Sequence, residues 1–471
     1  MIHKFTINGA YIVLDVYSGA VHSVDEIVYD ILDCYYKESP STFRQYEEVT
    51  CEDIYEQVGS KYTMNQIQSA YDEIAYLKQN EMLFTDDHYV KHIEKWDKQS
   101  VVKAMCLHVA HDCNLRCKYC FGATGSYEGD RALMSEEIGK KAIDFLITHS
   151  GKRRNLEIDF FGGEPLMNFE VVKQIVSYAL AQGDKHSKQF RFTITTNGLL
   201  LNDENMAYIQ KYMSNVVLSL DGTKDVNDKM RIRVDGKGCY DTVVPKYLKL
   251  AKLREQDNYY VRGTFTRYNL DFAKDVIHLA DLGFKQTSVE PVVLPQEDEH
   301  AIRKQDIPAV LKEYEKLAKQ YIERRKKGKG FNFFHFMIDL TQGPCVVKRL
   351  SGCGSGHEYV AVTPEGDIYP CHQFVGNPTF KMGDVLSGAF DNQIATQFRK
   401  SNVYSKPKCR DCWAKFYCSG GCPANAYQFN EDIQKPYEIA CELEKKRIEC
   451  ALMVQAIEMI PKGDEGYDYS I

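Results

Sequence analysis

The segment Cys113-Asn-Leu-Arg-Cys117-Lys-Tyr-Cys120 constrains this chain more than any other. Three thiolates spaced C-x3-C-x2-C can hold three irons of a [4Fe–4S] cluster and leave the fourth without a protein ligand. A cluster that only transfers electrons usually has four Cys ligands. One that must bind and reduce a small molecule needs an open iron. The rival readings are a zinc site and free thiols on a helix. Structural zinc usually takes four protein ligands, and this segment supplies three.

Length and composition set the frame. The chain has 471 residues, room for roughly two to four domains. Lys and Arg total 59 against 66 Asp and Glu, a net charge of −7, which argues against bulk nucleic-acid binding. The opening Met1-Ile-His-Lys-Phe-Thr-Ile has no basic region followed by an apolar run, and no stretch approaches the length of a membrane span. The expectation is a cytoplasmic protein without a membrane or nucleic-acid partner. Sixteen Cys in a long chain of this kind point to metal rather than disulfides. Cys34, Cys51, Cys106, Cys239 and Cys450 are scattered and read as ordinary thiols.

Residues 1–85 form a separate pattern. An alternating strand over 2–7 meets Asn8-Gly9, a hairpin signal, and strands follow over 10–16 and 20–23. Ile27, Val28, Ile31 and Leu32 recur at helical spacing. A second helix is expected over 52–58, and Thr63-Met-Asn-Gln66 is a capping box for a third with Ile67, Tyr71, Ile74 and Leu77 inward. Strands beside a helix-turn-helix describe a winged-helix-like fold. A DNA reader would carry Lys and Arg on the third helix, whereas this one carries Asp72 and Glu73. The module resembles the peptide-recognition domain of ribosomally made peptide pathways, where a precursor leader adds as a strand to the sheet edge. The alternative is a packing domain without a ligand. Residues 86–100 read as a linker.

Residues 101–300 alternate short apolar and amphipathic runs. Strands are expected over 104–109, 156–161, 190–195, 216–220, 260–266 and 287–293, with helices such as 136–148 and 170–181 between them. This βα repeat predicts an α/β fold, a parallel sheet with helices outside and chemistry at the C-terminal strand ends. Motifs fall at those ends: Phe161-Gly162-Gly163-Glu164-Pro165, Thr195-Thr196-Asn197-Gly198, Ser219-Leu220-Asp221-Gly222, then Asn227 to Arg231, and Glu290-Pro291-Val292. With Tyr119 ahead of the third cysteine, the set resembles the radical S-adenosylmethionine (SAM) superfamily. That resemblance implies a partial (β/α)6 barrel, with SAM chelating the open iron and split reductively to a 5′-deoxyadenosyl radical. It implies SAM contacts from Tyr119, Gly162, Gly163, Glu164, Thr196, Ser219, Asp221 and Arg231, with Glu164 toward the amino group and Arg231 toward the carboxylate. The alternative for Asp221 and Arg231 is a structural ion pair.

Residues 301–344 bridge to a second cysteine field. A helix within 302–330 ends in Arg324-Arg325-Lys326-Lys327-Gly-Lys329, expected on a solvated helix end, and the Phe331-Asn-Phe-Phe-His335-Phe run is expected in the core. Residues 345–460 then hold Cys353, Cys371, Cys409-x2-Cys412-x5-Cys418-x3-Cys422 and Cys441. Zinc ribbons use C-x2-C pairs, but the x5 and x3 spacings differ. The field resembles the seven-cysteine SPASM domain with two auxiliary Fe–S clusters, three [4Fe–4S] clusters in all. The resemblance implies an outer cluster on Cys409, Cys412, Cys418 and Cys441. It implies an inner one on Cys353, Cys371 and Cys422, with Cys345 the nearest candidate for an eighth ligand. Residues 461–471 are a polar tail.

The whole order resembles the SCIFF maturases, which build thioether bridges in Cys-rich precursor peptides. Gly343-Pro-Cys-Val-Val-Lys-Arg and Cys371-His-Gln-Phe-Val-Gly are similar to that group. The resemblance implies bonding of a peptide Cys sulfur to a carbon, Thr in that family. Implied partners are a precursor peptide, with its leader on the N-terminal domain and its core in the barrel, and a reductase, flavodoxin or ferredoxin electron donor. No side chain stands out as a necessary acid or base. The rivals are carbon–carbon crosslinking, formylglycine formation and, in a different class, an Fe–S redox-sensing DNA-binding regulator.

Overall fold

The computed structural model describes residues 1–37, 45–93, 101–340 and 346–459. Its N-terminal sheet has the order β1 (Ile2–Ile7), β2 (Ala10–Asp15), β3 (Val21–Val24), all antiparallel. Asn8 and Gly9 both adopt positive φ, 51° and 82°, as a two-residue I′ hairpin turn requires. A two-residue pair, β4 (Tyr36–Lys37) with β5 (Gln45–Tyr46), lies beyond it. Helices Glu26–Ile31, Cys51–Val58 and Met64–Gln79 follow the expected order. Thr63 and Gln66 close the reciprocal cap, with Gln66 N donating to Thr63 Oγ1 and Thr63 N to Gln66 Oε1. Asp72 and Glu73 are exposed on that helix.

Strand alternation gives this sheet two apolar faces. Val13 and Val24 pack with Val28, Ile31, Ile54, Ile67 and Ile74 in a small core with the three helices. Phe5, Ile7, Ile12 and Leu14 belong instead to the main core. They meet the C-terminal helix Glu438–Met459, which also packs along the helix Ile307–Lys326. A helix buried on several sides loses its amphipathic stripe, and Cys450, Ala451, Leu452, Met453 and Val454 are all buried in a row. The N-terminal module is therefore built into the body. His3 stacks on Trp413 at 3.7 Å and bonds Glu449 at 3.0 Å, and Tyr404 donates to Asp87.

The main sheet has eleven strands. Its centre is six parallel neighbours in chain order: β6 (Ala104–Ala110), β7 (Asn155–Gly162), β8 (Gln189–Thr196), β9 (Asn215–Ser219), β10 (Tyr259–Phe265) and β11 (Gln286–Pro291). Each expected strand is present within a residue or two. The helix expected over 170–181 runs Phe169–His186. Gly183 does not stop it, because glycine there admits close approach of Phe190, whose ring a Cβ would meet at 3.2 Å. β12 (Asn332–Phe333) extends the sheet beside β11. At the other edge β13 (Tyr359–Val362) pairs parallel with β6, and β14 (Asp367–Tyr369), β15 (Gly383–Asp384) and β16 (Ala389–Phe390) continue antiparallel. The cysteine-rich region thus shares a sheet with the barrel, a pairing that local sequence patterns do not carry.

In the bridging region the basic helix end is partly tied down. Arg324 Nη2 bonds Asp281 at 2.6 Å, and Arg325 bonds Glu458 at 2.7 Å. Phe331, Phe333 and Phe336 are buried as expected, while Phe334 faces outward. The linker is described only to residue 93, where it ends in a short helix, Val90–Ile93. Cys345 and the 461–471 tail lie outside the described residues. Among the described residues no helix is long and apolar enough to cross a membrane.

Because the C-terminal helix joins three packing units, truncation within it is expected to unfold the chain early. Leu452→Ala, at a fully buried position, should cost about 2–5 kcal/mol of stability. A denaturation midpoint unchanged from wild type would contradict this packing.

Candidate functional site

The C-terminal ends of the parallel strands converge on a cavity of about 420 Å³. Cys113, Cys117 and Cys120, on the loop after β6, line it together with Gly162, Gly163, Thr196, Ser219, Arg231 and Tyr119. Two glycines let the β7 turn come up under that loop. Gly162 has φ +119°, and a Cβ there would sit 2.3 Å from Ala110 O; at Gly163 a Cβ would sit 2.2 Å from Asp112 O.

The cysteine loop is held from two sides. On one, Arg116 N donates to Ile232 O at 2.6 Å and Lys118 N to Met230 O at 3.0 Å, so the loop runs beside the segment that carries Arg231. On the other, Asn197 Nδ2 donates to Asn114 Oδ1 at 2.7 Å and approaches Cys113 Sγ at 3.7 Å. Asn197 belongs to the Thr195–Gly198 motif but is not among the expected SAM contacts; its place directly after Thr196 at the end of β8 is the signal that marks it.

Glu164 and Asp221 lie behind the cavity wall. Glu164 is fully buried and accepts from Leu166 N (3.0 Å), Thr196 Oγ1 (2.8 Å) and Asn197 N (2.7 Å). It thereby ties the β7 turn to the β8 turn. Burial outweighs those three bonds and pushes its carboxyl up to about 7. Asp221, also fully buried, accepts from Tyr119 Oη (2.7 Å), Arg231 Nε (3.0 Å) and Thr264 N (3.0 Å). Asp221 and Arg231 therefore form an ion pair inside the fold. The pair uses the Nε–H, and a guanidinium has four further N–H donors; the Arg231 side chain also borders the cavity.

The donor set fits an iron–sulfur cluster. Burial pushes the Cys113 thiol up to about 11 and the Cys117 thiol up to about 12. Burial thus favours the neutral thiol, and a metal centre ligated there would deprotonate it. The three thiols border one cavity, so all three could ligate a group held there.

The second cysteine field divides in two. Cys409, Cys412, Cys418 and Cys441 line one cavity of about 630 Å³. Cys353, Cys371 and Cys422 are electrostatic neighbours of one another. Ser419, Gly420 and Gly421 adopt φ of 58°, 85° and 74°, so the chain coils left-handed between Cys418 and Cys422, which also share a further cavity with Cys441. Cys422 also borders the first cavity, with His372 and Gln373.

Residues 107–304 match the radical SAM superfamily model, and residues 353–413 match the SPASM model, an iron–sulfur cluster-binding domain. The chain carries a radical SAM domain and a SPASM domain. The radical SAM cyclopropyl synthase TigE of Paramaledivibacter caminithermalis is 23% identical over 453 residues, 91% of this chain and 89% of that enzyme. The cysteine-type anaerobic sulfatase-maturating enzyme of Clostridium novyi is 23% identical over 333 residues, 67% of this chain and 86% of that one. Among solved structures, anSMEcpe with bound AdoMet superposes with a TM-score of 0.61 at 19% identity, over 76% of this chain and 99% of that chain. Streptococcus suis SuiB bound to precursor peptide SuiA gives 0.51 at 16% identity, over 92% and 97%. These likenesses support the partial-barrel fold.

The geometry of the radical SAM turn gives a direct test. Gly163→Ala puts a methyl into Asp112 O and should displace the Cys113 loop, lowering iron by about four per chain after anaerobic reconstitution. Unchanged iron content would show that the turn does not support that site.

Proposed function

We propose that this chain is a radical SAM/SPASM peptide maturase that joins a cysteine sulfur to a carbon, that of Thr by family resemblance, within a ribosomally made Cys-rich precursor. One observation carries the reading: the Cys113–Cys117–Cys120 loop and Cys422 border the same cavity. A substrate held there is within reach of both metal-ligating regions at once.

When bound to Cys113, Cys117 and Cys120, a reduced [4Fe–4S] cluster with SAM supplies a 5′-deoxyadenosyl radical that takes a hydrogen atom from a substrate carbon. The protein's part is to bind and orient. In this reading Gly162, Gly163 and Thr196 offer close backbone and hydroxyl contacts to SAM. Arg231 directs its free N–H groups to the SAM carboxylate while Asp221 fixes its Nε. Ser219 lies on the same wall, Tyr119 holds the loop against Asp221, and Glu164 stiffens the turn facing the amino group. Forming one thioether removes two hydrogens from the peptide. The first leaves as the abstracted atom. The second leaves as the thiol proton, and the accompanying electron needs an acceptor. Cys353, Cys371 and Cys422, with Cys345 as a further candidate by resemblance, would hold that acceptor, and of these Cys422 borders the cavity.

The N-terminal sheet and its helices supply the leader-binding part of this reading, and a reductase, flavodoxin or ferredoxin the reducing electron, in the cytoplasm. TigE and the sulfatase-maturating relatives keep a second reading open, in which the same cavity forms a carbon–carbon bond or formylglycine. The distinction lies in the product. A thioether requires loss of two hydrogens per bridge with one fewer alkylatable thiol. Mass loss with every thiol still alkylatable would favour the carbon–carbon alternative. The full chain should also modify leader-bearing peptide faster than leaderless peptide at limiting concentration. Equal rates would remove the recognition role from residues 1–85.

A further inference from the structure

Two lysines of the SPASM region are almost wholly buried, Lys406 and Lys415, each 2% exposed. A buried ammonium must be paired or it destabilises the fold by several kcal/mol. Lys415 is paired: it meets Asp87 Oδ2 at 3.2 Å and lies over the rings of Tyr17, Tyr404 and Phe416. Lys406 is not. Its Nζ donates to one carbonyl, Gly420 O at 2.9 Å, and among the described residues no carboxylate pairs with it. Burial lowers the pKa of its ammonium, and the ionisable groups that oppose this are the thiols of Cys409, Cys418, Cys422 and Cys441.

Those four residues come from both SPASM sets. Cys409, Cys418 and Cys441 border the outer cavity, and Cys422 neighbours Cys353 and Cys371. The placement follows from the local chain. Lys406 precedes the turn Pro407–Arg410, and its own carbonyl accepts from Cys409 N at 2.9 Å. The left-handed run Ser419-Gly420-Gly421 turns the Gly420 carbonyl toward Nζ between Cys418 and Cys422. At Gly420 a Cβ would lie 3.5 Å from Nζ, so the loop wraps directly on the ammonium.

We propose that Lys406 is the shared counter-charge of the two auxiliary cluster sites, a positioning residue that raises their reduction potentials. This rests on the assignment of the two thiol sets as cluster ligands. Each electron added to a thiolate-ligated cluster deepens its negative charge. A fixed cation beside it stabilises the reduced form more than the oxidised form, and the burial of Lys406 keeps its charge poorly screened. Functionally, a higher potential at these sites makes them acceptors for the electron released when a peptide bond is formed.

The test is a redox titration of full-length, anaerobically reconstituted protein with dithionite as the one-electron donor, followed by electron paramagnetic resonance and iron analysis. The variants are Lys406→Gln, which keeps a donor for Gly420 O and loses the charge, and Lys406→Arg, which keeps the charge. Lys406→Gln should shift the reduced-to-oxidised ratio of the outer cluster at fixed potential at least tenfold toward oxidised, about 59 mV for one electron. Lys406→Arg should stay within a factor of three of wild type. Iron loss in Lys406→Gln with retention in Lys406→Arg would equally support counter-charge. Unshifted potentials in Lys406→Gln, or equal shifts or equal iron loss in both variants, would overturn the proposal. Wild-type protein with only about four irons per chain would instead overturn the ligand assignment beneath it.

Discussion

The buried carboxylate of Asp221 is the anchor on which the site depends. It sits at the end of β9 and collects three donors from three separate stretches of chain: Tyr119 on the cysteine loop, Arg231 after the following helix, and the Thr264 amide on β10. A carboxylate with no exposure keeps its charge at least cost when its lone pairs are satisfied and a cation stands beside it, as Arg231 does here. Meeting that condition fixes where the loop lies relative to the strand ends. Glu164 does the same work one strand pair away, with donors from the β7 and β8 turns and, through Asn197, a line to Cys113. Neither of these two carboxylates borders the cavity, whose wall instead carries the three thiols, two glycines of the β7 turn, the guanidinium groups of Arg231 and Arg262, the Glu290 carboxylate and the His372 imidazole.

The second constraint is the shared sheet. Parallel pairing of β13 with β6 continues the barrel sheet into the SPASM region and sets Cys371 just beyond β14. This brings His372, Gln373 and Cys422 to the rim of the barrel cavity. From the opposite side the C-terminal helix carries Cys441 in its first turn and continues beneath the N-terminal sheet. Peptide recognition, radical generation and electron acceptance are thus proposed for regions that share one hydrophobic core, not for modules on tethers.

Much of this was legible in the sequence because the relevant signals are local. Six β-rich runs, the capping box at Thr63, the Asn8-Gly9 hairpin and the cysteine spacings each depend on a few neighbouring residues. The cysteine spacings also separate the barrel cysteines from those of the SPASM region. Long-range facts were not legible. Nothing near Tyr359 announces a partner in β6, and Lys406 looks like a surface lysine until Gly420 folds over it. The basic run after Tyr321 reads as solvated, yet Arg324 and Arg325 find Asp281 and Glu458 across the fold. Asp221 and Arg231 could be read as ligands or as an ion pair; the geometry makes them a pair and leaves only Arg231 on the cavity wall.

The most direct test of the account is replacement of Cys113, Cys117 and Cys120 together by Ala, followed by anaerobic reconstitution, iron analysis and assay of 5′-deoxyadenosine. The account predicts loss of about four irons, retention of the SPASM-bound iron and no reductive cleavage of SAM. Continued formation of 5′-deoxyadenosine by the triple variant would contradict it.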